Sequence, residues 1–511
     1  MKKIVTLAFF ACLAVNLFAQ RGLDWIKIDN TKDDYLFQYF YKYSDNVFKA
    51  IFTIPDIKPF QPMKSQIFVR TYNGDLSKFE EQGIPSESPY QVIVTGFQNY
   101  TIAYGSTDEN KNPFQSFHKN NKVLIADAQL NPLMNVSFPV HGKKNKFDGL
   151  PNVFKSHDSS NLIVINNEIL ESESKPFHET PVMRYINVYD KHLSLVWCDS
   201  VNFIDLFGKD VSINRYNFEY INDKLYLFAS TPGNAMKKIK PTIFIVRYDH
   251  PQSYKILNSE IFSNYEFHWD YVVTKGGQLI ISGVNMHPSK AAKKQLFFMS
   301  LDVKNSADKA SFKVQNIDKL FLAQYPEYKN ILPMYLFTPS DLLPVSDGLI
   351  YCSEYHCSVT TTNTSTGSSS TTYYVKPITL IKFDMEGNIK WVKMIDKYIS
   401  SGSYYDTYFC RAFLSNNKVV VFYFDFLDNI HNDKIKGKPK FGFGRTFCLV
   451  QGVLDSDGNL KKSLIYSIGD EGTQANLVSM RQIRSDKFFM TGKGIKMKTR
   501  GDFAAFYDLK E

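Results

Sequence analysis

Short runs of apolar, β-branched or aromatic residues recur along the chain, each ending in a bulky residue followed by Asp, a short turn and a further run. The copies are Ala126-Asp127, Tyr189-Asp190, Tyr248-Asp249, Leu301-Asp302, Phe383-Asp384, Leu454-Asp455 and Tyr507-Asp508. Tyr72-Asn73-Gly74 is a degenerate eighth copy, and from Asn73 to Asp508 the mean spacing is about 62 residues. Upstream of the Asp lies a second pair of runs with its own turn: Asn222-Asp223 between Tyr220-Ile221 and Lys224 to Phe228, Lys275-Gly276-Gly277 after Tyr271 to Thr274, Ser415-Asn416-Asn417 before Lys418 to Phe422, and Arg484-Ser485-Asp486 before Lys487 to Met490. Each unit therefore predicts four antiparallel strands, A to D, with short A–B and C–D turns and variable B–C loops.

Four-stranded units of this length, repeated many times, are β-propeller blades. The pattern predicts an all-β fold: one propeller domain over 20–511 with eight blades, the first spanning 35–80 with Ser44-Asp45-Asn46 as its A–B turn. If that weak segment is only a cap, the count is seven. The sequence stops three residues after Asp508, so the last unit lacks strand D. Leu23 to Ile28 alternates like a strand and is expected to supply it and close the ring.

The best copy of the turn runs Phe383-Asp384-Met385-Glu386-Gly387-Asn388-Ile389-Lys390-Trp391, and Trp197 follows Asp190 at the same distance as Trp391 follows Asp384. Asp caps such a turn with its side chain, and Gly supplies the positive φ that closes it. This Asp-x-x-Gly-Asn-x-x-Trp turn resembles those of secreted bacterial β-propellers, loosely including quinoprotein-like repeats, over nearly all of 20–511. A quinoprotein dehydrogenase would imply regular docking turns, adjacent cysteines and a calcium site. Here the Asp-to-Trp spacing is one residue shorter, only two copies keep the Trp, and no cysteines are neighbours. The resemblance speaks for fold; propellers host unrelated enzymes and scaffolds.

Composition adds a compartment. Of 511 residues, 44% are hydrophobic and 15% aromatic, enough for a large core. Lys2-Lys3, an apolar run from Ile4 to Phe18, then Ala19-Gln20 read as a signal peptide over 1–19, and its removal lowers the formal charge from +9 to +7. The remainder keeps five cysteines, Cys198, Cys352, Cys357, Cys410 and Cys448, with no CxxC pair. Cys352 and Cys357 on one strand point to opposite faces and cannot bridge, so buried thiols are expected. No transmembrane segment is expected after the leader.

Chemistry is sparse. The ten histidines form no HxH or HExxH pattern, and no Ser-centred elbow or phosphate loop occurs. His118, His178, His250, His287 and His431 are expected on loops. Asp455-Ser456-Asp457-Gly458-Asn459 resembles the start of a calcium loop but lacks its distal glutamate and sits where a hairpin needs Asp and Gly. No metal or cofactor is implied. Most aromatics lie inside strands; Phe441 and Phe443, in a basic loop, are the exceptions.

The B–C loops of a propeller share one face, and here they are basic. Blade four contributes Lys237, Lys238 and Lys240; blade five Lys290, Lys293 and Lys294; blade seven Lys434, Lys436, Lys438, Lys440 and Arg445; blade eight Lys493, Lys496, Lys498 and Arg500. Blade three instead carries an acidic sector of Glu168, Glu171, Glu173 and Glu179. Asp199-Ser200-Val201 fits a short O-glycosylation signal at Ser200. The sequence thus points to an exported, periplasmic or cell-surface, noncatalytic binding or scaffolding module of the bacterial envelope. Its cationic rim is expected to take an anionic polysaccharide, lipid headgroup or acidic protein surface, and no nucleic acid. The alternative is a propeller enzyme acting on glycans through a central-channel site.

Overall fold

Strand alternation resolves into eight antiparallel sheets, the blades of a β-propeller, arranged in a ring. The computed structural model describes Leu23, Ile26–Lys27 and, over 36–509, all but segments between strands, the longest being 57–63, 84–89, 107–116, 171–181, 287–294, 317–322, 327–335, 402–409, 431–446 and 495–501. Blade one is Leu36–Ser44, Val47–Asp56, Lys64–Asn73 and Phe79–Gly83, so the weak first segment is a blade and not a cap. Blade four shows the standard unit: Arg215–Ile221, Lys224–Ser230, Thr242–His250 and Ser253–Ile261, in that spatial order. Its A–B turn has positive φ at both Asn222 (50°) and Asp223 (60°), the type I′ geometry that matches strand twist; Asn416 and Asn417 repeat it in blade seven.

Burial grades outward through each blade. Strand B is buried almost end to end, as in Leu162–Ile169 and Lys418–Phe426, because neighbouring blades cover both of its faces. Strand D is largely exposed, as in Ser253–Ile261. The seams are apolar: Trp197 of blade three joins Phe218, Leu225 and Val246 of blade four, and Phe422 of blade seven meets Phe488 of blade eight at 4.9 Å between ring centroids. Phe48 of blade one meets Phe506 of blade eight at 5.1 Å, so the first and last blades are packed together. The A strands of blades five to eight approach one another in succession, as do those of one and two, and strand B of blade three approaches strand A of blade four; the A strands line the axis.

Three features exceed the simple repeat. Phe117–His118, from blade two's B–C connection, pairs with Lys146–Asp148, which extends blade three to a six-stranded sheet. In blade six, Gly348–Thr362 and Ser369–Asp384 continue as a long hairpin beyond the blade, and Ile399–Ser401 pairs with its flank. Ile26–Lys27 pairs antiparallel with blade eight's Asp502–Asp508, Ile26 opposite Ala504, as the outer strand of that four-stranded sheet. The expected leader, 1–19, lies outside the described residues. Among those described, no helix is long and apolar enough to cross a membrane.

Candidate functional site

The A strands bring together polar residues that are far apart in sequence. In blade five, strand alternation turns Trp269 into the seam, where its Nε1 donates to Ser230 Oγ at 2.9 Å, and leaves Asp270 half exposed. The Arg215 guanidinium of blade four lies 4.6 Å from the Trp269 ring, donates to the Trp269 carbonyl and reaches Asp270 Oδ1 at 3.5 Å. In blade six a register shift between Pro339 and Asp341 re-aims the Asp341 side chain. It accepts from Arg411 Nε (3.1 Å) and from the Ala412 amide (2.8 Å) of blade seven. In blade eight an irregularity between Asn476 and Arg481 carries Val478 outward, and its carbonyl accepts from both Arg411 Nη1 (3.3 Å) and Arg481 Nη1 (2.8 Å).

The belt returns to blade three at the A–B turn. Lys155 is pushed down from the ordinary lysine range by burial and by the nearby Arg481 charge, even though solvent reaches its side chain. Lys155 has no ion pair among the described residues, and Arg481 has no carboxylate partner there. His157, next along, is also pushed down, by burial against the opposing pull of Asp158 and Asp270, so its ring is neutral at pH 7. Its backbone N–H donates to Glu219 Oε1 at 2.7 Å, and Tyr271 O–H donates to Glu219 Oε2 at 3.2 Å. Burial nevertheless raises Glu219 to about 7; Asp341, raised likewise by burial against Arg411, reaches about 6.

Six blades thus surround the axis with Lys155, Arg215, Arg411 and Arg481 on the cationic side and Asp270, Asp341 and Glu219 on the anionic side. Two arginines are matched by Asp270 and Asp341. Lys155 lies close enough to Arg481 for the arginine's charge to act on it.

Of the sequence-predicted rim, Lys238, Lys240 and Lys493 are described, and all three are exposed. Lys237, Lys290, Lys293, Lys294, Lys434, Lys436, Lys438, Lys440, Arg445, Lys496, Lys498 and Arg500 lie outside the described residues, as do Phe441 and Phe443. Ser200 is exposed on strand Leu195–Asn202, where it lines an inter-blade cleft of about 360 Å³ with Tyr185, Asn187, Cys198 and His141.

That cleft corrects several expectations. Glu168, assigned to an exposed acidic loop, is fully buried near the end of strand B; it accepts from the His141 amide and ring Nδ1, both at 2.8 Å. The His141 ring stacks on Tyr185 at 4.7 Å. Cys352, Cys410 and Cys448 are buried as expected, but Cys198 is exposed because it faces outward from strand D. His118 and His250 lie on strands rather than loops. Asp455 accepts from the Asp457 and Asn459 amides and from Asn459 Nδ2, so its oxygens close the hairpin.

No family model matches this chain, and no curated protein matches it. Solved structures do. The polysaccharide lyase Uly1 aligns at 11% identity and a TM-score of 0.39 over 86% of this chain and 98% of that one. The WD40 domain of SCAP from fission yeast aligns at 7% identity and a TM-score of 0.38 over 96% and 98%. The acylaminoacyl peptidase of Pyrococcus horikoshii aligns at 9% identity and a TM-score of 0.32 over 76% of this chain, which spans only 57% of that chain. At these identities and scores the likenesses assign neither an activity nor a ligand.

Proposed function

We propose that this propeller is an exported, noncatalytic binding module of the cell envelope that takes an acidic polysaccharide at its axial channel and the surrounding cationic loops. One observation supports the reading: Lys155 and Arg481, like charges from blades three and eight, are close enough for the arginine to lower the pKa of the lysine, and among the described residues neither has a carboxylate partner. A bound anion would relieve that repulsion, and its gain would be greatest where the channel walls limit water. Exposed Lys238, Lys240 and Lys493 would add weaker, screened attraction at the rim. In a test by affinity chromatography on immobilised acidic polysaccharide, the protein should be retained at low salt. Lys155→Ala with Arg481→Ala should elute earlier while keeping its melting temperature. Unchanged elution of a folded double variant would sink the reading.

The second reading, an enzyme acting on glycans through the channel, is favoured by Glu219: a carboxyl raised to about 7 has the protonation behaviour of a general acid. Against it, Glu219 is only 1% exposed and both its oxygens are occupied by His157 and Tyr271. New chain ends released from an acidic polysaccharide by the protein, and lost with Glu219→Gln, would establish the enzyme and displace the binding reading.

A further inference from the structure

We propose that Cys352 and Cys410 form an inter-blade disulfide that clasps blade six to blade seven behind the Asp341–Arg411 ion pair of the channel. The two sulfurs lie 3.6 Å apart, in contact but unbonded, and both residues are fully buried. A disulfide needs about 2 Å between sulfurs, so small side-chain rotations would close the gap. The two cysteines are 58 residues apart in sequence and come from different blades. Cys352 sits on Gly348–Thr362 directly opposite Asp341, and Cys410 immediately precedes Arg411. The bond would therefore tie together the backbones that carry the two partners of the ion pair. Their core also contains Leu343, Ile378, Leu380 and Tyr423, which pack both strands together.

The oxidant belongs to the disulfide class. One cysteine thiolate displaces a thiolate from the oxidant, giving a mixed disulfide, and the second cysteine thiolate attacks that bond and releases the other half. Two protein thiols are oxidised, one oxidant disulfide is reduced, and the two protons end on the released thiols. Because the folded ring buries both sulfurs, the exchange occurs while blades six and seven are docking. Once made, the bond is shielded from reductant.

The test refolds the full, reduced chain in a buffer of oxidised and reduced glutathione, confirms the β-rich fold by circular dichroism, then alkylates it under denaturing conditions without reductant. Peptide mass spectrometry should find Cys352 joined to Cys410, about 2 Da lighter than the two reduced peptides, with Cys198, Cys357 and Cys448 alkylated. Alkylation of both Cys352 and Cys410 in the refolded protein, or a link from either to Cys448, which shares their core, overturns the proposal. As a second readout, protein refolded with glutathione should melt higher than protein refolded in reductant, and Cys352→Ala should abolish that difference. A difference that persists in Cys352→Ala also overturns it.

Discussion

A single carboxylate closes the C–D hairpins of blades two, three, six and seven. Asp384 Oδ1 accepts from the Asn388 amide at 2.7 Å and the Glu386 amide at 3.1 Å, while Oδ2 accepts from Asn388 Nδ2 at 2.9 Å; Asp127 and Asp455 grip Asn131 and Asn459 in the same way. Although partial burial works against ionisation, the bonds from Asn388 and Lys390 hold the Asp384 carboxyl well below the usual range. Its folded pKa is depressed, so its contribution is present above about pH 4 and is lost as pH falls below that. Asp384→Ala should cost about 1–3 kcal/mol at pH 7 by urea denaturation, with the deficit shrinking towards pH 2. Glu219 has the opposite sign. Its folded pKa is about 7 against an ordinary 4.5, so the folded state holds a proton that the unfolded state has released, and stability falls as pH rises through that window. Glu219→Gln should raise the melting temperature at pH 8 and give no gain below about pH 4.5; an equal gain at both values would show that ionisation is not the cause.

At the scale of elements, the Asp and Gly of the hairpins were readable from the sequence, but their reason for standing there is partly the neighbouring blade. Gly387 has φ of 78°, and a Cβ there would lie 2.5 Å from the Phe298 ring of blade five. The long hairpin of blade six was likewise legible in its threonines: Thr360 pairs with Thr371 and Thr362 with Ser369, with the hydroxyls of the first pair 2.9 Å apart. Cleavage by a dilute protease should be confined to 363–368, between the paired strands; cuts spread from Val359 to Thr371 would show that the ladder does not persist in solution. Glu168 shows what the element alone conceals. Its neighbours in sequence read as an acidic loop, and the approach of His141 from the blade-two side, together with Tyr185, makes a buried carboxylate tolerable.

In the whole ring the first and last blades are packed together. Phe48 and Phe506 pack blade one on blade eight, and Ile26–Lys27 pairs with the edge of Asp502–Asp508, with Leu23 buried in the core shared by blades seven and eight. Deleting residues 20–30 should lower the melting temperature by several degrees, because it unpairs a strand edge and uncovers that core. An unchanged melting curve would mean that the N-terminal strand takes no part in closing the ring. Charge acts over the same distance. Reversing Lys434, Lys436, Lys438 and Lys440 to Glu should shift elution from an acidic polysaccharide column to lower salt without altering the circular dichroism spectrum. Unchanged elution would confine binding to the channel residues.

The repeat, its turns and the number of blades are properties of local chemistry: strand alternation, the Asp side chain that satisfies turn amides, and the residues that tolerate positive φ all act within a few positions of one another. They therefore leave a periodic trace that one chain can show. The channel belt leaves none. Lys155, Arg215, Glu219, Asp270, Asp341, Arg411 and Arg481 come from six blades, two of them from blade four, at no constant place in the repeat, and meet only because the A strands converge on one axis. The contact of Cys352 with Cys410 is of the same kind, since a separation of 58 residues becomes 3.6 Å only when blade six docks on blade seven. Periodicity determined the architecture; convergence at the axis and across the seams decided which side chains share a site.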